Sequence, residues 1–328
     1  MAARGAKKYW VGFDLGGTKM LAGVFDKDFA LIASHRRRTK GSDGVRSGVA
    51  RIAETVDQAL EHAGVSRAHL AGIGFGVPAF VDLKQGVVLK APNLGWENVP
   101  LRKLMEKKFR VPVVVANDVD SGTYGEYRFG AARNARCVVG VFPGTGIGGG
   151  CVYEGRILHG KRVSCMEIGH VPVRPDGPLC GCGRRGCLEA VASRLAIAAE
   201  AAMAAYRGEA PHLLELAGTD VAKIRSGVLR AAIEAGDKTV ERIVRHAARE
   251  IGVALVAVVN LLAPDVIVLG GGLPEEMPRL YCEEVKATIL KGVTDVMRDV
   301  TKVVPARLGD NACAMGAAAL VASAAAET

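Results

Sequence analysis

Gly12-Phe13-Asp14-Leu15-Gly16-Gly17-Thr18-Lys19 joins one apolar run, residues 9–13, directly to another, residues 20–25, through a glycine turn. Val141-Phe142-Pro143-Gly144-Thr145-Gly146-Ile147-Gly148-Gly149-Gly150 makes the same kind of join between residues 137–142 and 150–153. Glycines let a backbone come close to a phosphate and point successive N–H groups at its oxygens. The segment after each loop excludes two other phosphate devices. The first stretch approaches a P-loop, but Thr18 and Lys19 stand in reversed order, and Met20-Leu21-Ala22-Gly23-Val24-Phe25-Asp26 opens no helix. Gly144, Gly146 and Gly149 match G-x-G-x-x-G after a strand, yet Gly150-Cys151-Val152-Tyr153-Glu154-Gly155 reads as strand then turn. A hairpin turn explains either loop taken alone. Two such loops, with Asp14, Thr18 and Lys19 in the first, favour phosphate binding. One unit opening each half points to a duplicated domain with a nucleotide between the copies.

Working outward, residues 30–34 continue the first set of strands. Residues 44–63 carry Val45, Val49, Ile52, Val56 and Leu60 at helical spacing. Residues 70–77 read as a strand ended by Pro78, and 101–109 as a short helix. Residues 111–116 are nearly all apolar, as in a strand buried on both faces. Residues 188–206, 222–235 and 239–262 predict helices, the last with Val240, Ile243, Val244, Ala247, Ile251 and Leu255 on one face. Residues 266–269 form another buried strand before three glycines, and 311–323 a small-residue helix. The class is α/β. Disorder is expected only in residues 1–8 and in the Ala-rich tail after Ala322.

A chain of 328 residues, 49% apolar and 23% charged, is long enough for two domains of ordinary composition. The net charge of +9 is scattered. Its one run, Arg36-Arg37-Arg38, reads as a solvated strand end without a nucleic-acid-binding signature around it. The apolar stretch after Tyr9 is broken at once by Asp14 and glycines, unlike a signal peptide, and residues 251–263 are too few to span a bilayer. The expectation is a cytoplasmic protein with neither nucleic-acid nor membrane partners. Its eight cysteines are then thiols or metal ligands rather than disulfides.

Glu167-Ile168-Gly169-His170 is followed by Cys180-Gly181-Cys182-Gly183-Arg184-Arg185-Gly186-Cys187-Leu188-Glu189. Three thiols on a glycine-rich loop beside an imidazole suit tetrahedral zinc, and four protein ligands make such a site structural. Cys137, Cys151, Cys165, Cys282 and Cys313 have apolar neighbours in sequence and read as core thiols. Val113-Val114-Val115-Ala116-Asn117-Asp118 is an apolar strand ending in two polar residues. Asp118 reads as a helix N-cap or as a carboxylate placed at a cleft for proton abstraction; on these residues alone the cap is slightly favoured.

Together these segments resemble a known superfamily. Asp-Leu-Gly-Gly-Thr-Lys at 14–19 is similar to the first phosphate loop of the sugar kinase/Hsp70/actin proteins, the later loop to their second, and Leu269-Gly270-Gly271-Gly272 to their adenosine loop. Within that group the chain resembles the ROK family (repressors, open reading frames, kinases) over about residues 11–319. The resemblance implies a two-domain duplicated, ribonuclease H-like α/β fold: a small domain of residues 1–117 plus 311–328, a large one of 118–310, and ATP and sugar in the cleft between. It implies ATP-dependent phosphorylation of a hexose, glucose foremost, with Asp118 as general base, which reverses the cap reading. Asp14 would hold Mg²⁺ through water. Gly16, Gly17, Thr18, Lys19, Gly144, Thr145, Gly146, Gly148 and Gly271 would line the ATP site. Asn93, Asn117, Asp118, Glu167, His170 and Glu189 would contact the sugar. His170, Cys180, Cys182 and Cys187 would bind zinc, with the other nitrogen of His170 reaching a sugar hydroxyl. A homodimer or homotetramer is implied, and closure of the halves on the sugar is expected about hinges near Asn117 and Asn311.

Two segments depart from the family pattern at the pocket's edge. Pro78-Ala79 stands where the family has Pro-Gly, and Lys161-Arg162-Val163-Ser164-Cys165-Met166 where it has a glycine-rich stretch ending in Ala-Gly. Both bear on which hexose is preferred. An N-acetylhexosamine (GlcNAc or ManNAc) or fructose kinase is the alternative, and polyphosphate an alternative donor. A sugar sensor without catalysis would need neither Asp14 and Asp118 nor both loops. The family's repressors carry a helix-turn-helix domain ahead of the first loop, for which the thirteen residues before Asp14 leave no room.

Overall fold

A computed structural model describes Tyr9–Glu327. The chain forms two compact units, one comprising the chain up to Asn134, Gly150–Cys165 and the chain from Asp310, the other Ala135–Gly149 and Met166–Gly309.

In the first unit β1 (Tyr9–Leu15), β2 (Lys19–Phe25) and β3 (Leu31–Arg38) form an antiparallel ladder. Helix α1 (Gly44–His62) leads to β4 (Leu70–Val77), which lies parallel to β1 with Asp14 beside Gly76. Next come β5 (Phe80–Asp82), β6 (Val87–Ala91) and β7 (Trp96–Val99), a separate antiparallel sheet. Helix α2 (Leu101–Phe109) returns the chain to β8 (Val113–Asn117), parallel to β4, and α3 (Asp118–Arg128) begins at the very next residue. The main sheet runs β3-β2-β1-β4-β8. Val11, Phe13, Ile73, Phe75 and Val115 are wholly buried in it, as expected of strands covered on both faces. From α1, Ile52, Val56, Ala59 and Leu60 join this core, whereas Val45 at its first turn is exposed.

The second sheet opens with β9 (Cys137–Pro143), β10 (Ile147–Tyr153) and β11 (Arg156–Ile157). The helices α4 (Leu188–Ala192), α5 (Arg194–Tyr206), α6 (Pro211–Ala217), α7 (Ser226–Ala235) and α8 (Lys238–Leu262) come next. Then come β12 (Val266–Leu269), α9 (Gly272–Glu276), α10 (Pro278–Gly292), β13 (Lys302–Pro305) and the closing α11 (Ala312–Ala326). Strand β12 is parallel to both β9 and β13. The order β11-β10-β9-β12-β13 repeats that of the first sheet strand for strand, so the duplication read from the two glycine loops extends to the whole sheet.

Several expectations need correction. The predicted helix 188–206 is broken at Ser193, whose hydroxyl accepts from Ala196 N at 3.3 Å and so caps a new helix, α5. The predicted helix 222–235 starts only at Ser226. The tail after Ala322 is helical to Ala326 rather than disordered, while residues 1–8 lie outside the described residues. Helix α3 belongs to the first unit, although the boundary expected after residue 117 precedes it. The reason is close packing on α11: a Cβ on Gly316 would come within 1.8 Å of Ser121 O, so only glycine lets these helices approach. No helix among the described residues is long and apolar enough to cross a membrane.

Candidate active site and metal centre

In the first unit Asp14 lies near the end of β1, and the Gly16–Gly17 turn leads into β2 at Lys19, which is exposed. Buried Thr39 pins this turn: its hydroxyl donates to Gly16 O at 2.6 Å and its N–H to Thr18 O at 2.9 Å. Arg51 in turn donates to Thr39 O at 2.6 Å. Asn93 stands against the loop, its Cβ 3.3 Å from where a Cβ on Gly17 would lie. A glycine loop held this way keeps its N–H groups fixed, which is what pre-organised phosphate binding requires.

Asn117, not Asp118, caps α3. Its Oδ1 accepts from Val119 N at 2.8 Å and Asp120 N at 3.2 Å, while its Nδ2 donates to Ala79 O at 3.3 Å. Asp118 is the first residue of the helix proper, half-buried, with Oδ1 accepting from Val119 N at 3.0 Å. The cap role weighed for Asp118 thus falls to its neighbour.

Asp14 and Asp118 share surroundings, because Asp14 is the register partner of Gly76. A Cβ on Gly76 would lie 2.3 Å from Cys313 Sγ, 3.2 Å from Ser121 Oγ and 3.3 Å from Asp118 Cα. The missing side chain makes room for the Cys313 thiol between the two aspartates. Burial raises the Asp14 pKa to about 6; the hydrogen bond from Cys313 and the more distant Arg36 lower it, and Asp310 raises it. Burial, with the charges of Asp14 and Asp118 close by, keeps the Cys313 thiol protonated as a donor. The core-thiol reading therefore fails for Cys313. It holds for buried Cys137 and Cys151, and Cys165 and Cys282 are half-buried.

In the second unit His170, Cys180, Cys182 and Cys187 place one ligand atom each within 4.8 Å of all the others. Cys180 Sγ lies 3.8 Å from His170 Nδ1, and Cys182 Sγ 3.6 Å from Cys187 Sγ. A tetrahedron with metal–sulfur bonds of about 2.3 Å has edges of about 3.8 Å, so the donor set fits zinc. Gly186 (φ 72°) makes the turn, where a Cβ would strike Arg174 O at 1.6 Å. Burial pushes the Cys180 thiol up to about 12, while the Arg184 backbone N–H pulls Cys182 down to about 6. With Nδ1 turned to the thiols, Nε2 of His170 is left for other partners.

Glu167 and His170 line one cleft of about 420 Å³ with Val171, Pro172, Arg184 and Arg185. Burial raises the Glu167 pKa, opposed by His170 and reinforced by Glu189. Glu189, on α4, accepts from Ile147 N at 3.0 Å and touches Cys180 Sγ at 3.8 Å, tying the second glycine loop to the cysteine cluster. That loop runs into strand β10, as its sequence predicts, with Gly148 inside the strand. Gly271 lies against it, its would-be Cβ 3.0 Å from Pro143 O.

Two residues at these sites escape a reading of the sequence. Cys313 is hidden in an Ala-rich segment. Arg194 donates to Thr145 Oγ at 3.1 Å; its one signal is a lone charge directly after a capping Ser.

The chain matches the model of the ROK family over residues 10–324. It is 35% identical to a glucokinase of Halalkalibacterium halodurans, covering 81% of each chain. With a glucokinase of Streptomyces coelicolor it shares 32% identity over 94% of this chain and 96% of the other. Its structure aligns with the crystal structure of a ROK family glucokinase from Streptomyces griseus in complex with glucose and AMPPNP, at TM-score 0.84 and 32% identity over 96% of this chain and 99% of that one.

Proposed function

The chain belongs to the ROK family, and from that premise we propose that it transfers the γ-phosphoryl group of ATP to the 6-hydroxyl of glucose. The observation that carries this reading is the extent of the match. It spans both glycine loops, Asp14, Asp118 and the His/Cys cluster, and the Halalkalibacterium and Streptomyces relatives are glucokinases.

In this reading Asp118 accepts the proton of the attacking hydroxyl as the sugar oxygen bonds to the γ-phosphorus. The bond from that phosphorus to the bridging oxygen breaks, and ADP leaves with the electron pair. The N–H groups of Gly16, Gly17, Gly146 and Gly148 would face phosphate oxygens, while Gly144, whose own N–H donates to Gly146 O at 2.8 Å, shapes the second loop. Lys19 and Thr18 stand at the first loop, Thr145 at the second, and Gly271 at the adenosine. Asp14 would hold Mg²⁺ through water, which supplies charge neutralisation at the phosphates. Asn93, Glu167, Glu189 and Nε2 of His170 engage sugar hydroxyls, as does the Nδ2–H of Asn117 not committed to Ala79 O. Such groups reject analogues that lack a hydroxyl, because a buried partner is then left unpaired. His170, Cys180, Cys182 and Cys187 would hold zinc, whose contribution is to fix the segment bearing Glu167 and Glu189.

The reading also carries the homodimer or homotetramer and the cytoplasmic setting implied by the resemblance. A coupled assay for ADP over a panel of hexoses tests it. ATP should be consumed only when sugar is present, and fastest with glucose. Turnover confined to N-acetylhexosamines or fructose would move the substrate, and ATP consumption indifferent to sugar would overturn the reading.

A further inference from the structure

The second glycine loop carries no charged residue between Pro143 and Gly150, and its tip residue Thr145 is exposed. One cation reaches it from outside. Arg194, the first residue of α5, is held to the loop by its backbone, whose N–H donates to Gly144 O at 2.9 Å. Its guanidinium donates to Thr145 Oγ at 3.1 Å and to Ile224 O at 3.3 Å. Those two acceptors are neutral. Among the described residues no carboxylate pairs with Arg194; Glu189 touches the same loop only at Ile147 N and Gly146. Burial, and then the nearby charge of Arg225, lower the Arg194 pKa, so its surroundings work against the charge it bears. A half-buried guanidinium without an anion, beside a second arginine, is a site lacking its counter-charge.

The neighbouring backbone says what kind of anion fits. Arg225 directly precedes α7, whose Ser226 lies beside the Gly270–Gly272 turn: a Cβ on Gly272 would be 3.2 Å from Ser226 Oγ. The same turn meets the glycine loop at Pro143 O, 3.0 Å from a would-be Cβ on Gly271. Two glycine turns and two arginines thus converge within the second unit, a geometry suited to an extended, multiply charged ligand.

We infer that Arg194 binds the phosphate chain of the nucleotide at the second glycine loop, with Arg225 reinforcing its field. This rests on the proposed kinase activity and adds to it the cation that this loop lacks in its own sequence. A planar guanidinium with two N–H bonds committed to protein has three left for phosphate oxygens.

The test is calorimetric titration of adenosine, ADP and a non-hydrolysable ATP analogue, each with Mg²⁺ and saturating glucose, into the wild type and R194Q. Glutamine keeps a donor for Thr145 or Ile224 and loses the charge. The expected result is a graded loss: adenosine within about twofold of wild type, ADP weakened, and the triphosphate weakened by about ten- to a hundredfold. R194K should recover part of it, and glucose affinity and melting temperature should stay close to wild type. An equal loss for all three ligands would mean that Arg194 only holds the loop, and no loss would mean that it touches no phosphate; either overturns the inference while leaving the kinase reading intact. A wild type that binds none of the three overturns both.

Discussion

Between β1 and β2 the chain places Asp14 and Lys19 at the two ends of a glycine turn, whereas between β9 and β10, at the same position in an identically ordered sheet, it places no charge. The second turn draws its charges from the helices packed on it: Glu189 of α4 accepts from Ile147 N, and Arg194 of α5 donates to Thr145. The repeat is therefore one of backbone, and the chemistry differs on each copy. A glycine turn needs only fixed N–H groups, which any sufficiently pinned hairpin provides. A charge on the turn must be desolvated along with it, and Asp14, with its pKa raised to about 6 by burial, shows that penalty. Loading the charge onto neighbouring helices does not escape it, since burial also lowers the Arg194 pKa, and it makes the loop depend on what holds those helices.

That dependence predicts the largest effect. In the second unit Glu189 is tied to the cysteine cluster through Cys180, so loss of one proposed zinc ligand should disturb the loop as well as the metal site. Elemental analysis should find one zinc per chain in the wild type and none retained by C187S. The variant should melt about 10 °C lower, since a structural site contributes folding free energy directly, and it should lose turnover. No zinc in purified wild type would refute the metal assignment and remove the contrast between a metal-braced loop and a self-charged one.

The next effect belongs to the first unit, where the proposed base sits. D118N keeps the shape and one acceptor of the side chain but takes no proton. Its kcat should fall by about a hundredfold or more, roughly 3 kcal/mol in barrier, with little change in glucose affinity. Because Asn117 already caps α3, the helix should survive the change and melting should move little. Retention of most of the kcat would place the base elsewhere and leave the first unit with substrate and metal binding alone.

How far the sequence shows this division depends on the kind of signal. Strands β1, β2, β4 and β12 are legible because continuous apolar runs bounded by glycine or proline have few other homes. The cysteine cluster is legible because ligand spacing is local. Sheet β5–β7, α10 and β13 are not, since short mixed segments such as Trp96–Val99 gain their structure from pairing partners rather than from their own pattern. Asn117 and Asp118 are adjacent polar residues, and only backbone angles decide which one caps the helix. Cys313 and Arg194 elude sequence reading for a further reason: their roles arise from contact with residues 299 and 49 positions away in the chain.

The smallest effect concerns the penalty borne by the first loop itself. The folded chain holds the Asp14 proton up to about pH 6, the unfolded chain only to about its ordinary value of 3.8. Between those values the folded state binds the extra proton, so stability falls as pH rises through the window, and the loss is complete above about pH 6. The difference corresponds to about 3 kcal/mol at most. D14N removes the titration, and its amide oxygen still accepts from the Cys313 thiol. Without magnesium or nucleotide, and in buffers free of chelator so that any zinc stays in place, D14N should melt about 5 °C above the wild type at pH 7.5. The gain should shrink to about a third of that near pH 4.5, and the variant should be inactive throughout. This would be a charge kept for function against stability. An equal gain at both pH values would trace the effect to packing, and a loss at pH 7.5 would mean that the first loop accommodates its carboxylate without penalty, which would erase the contrast with the uncharged second loop.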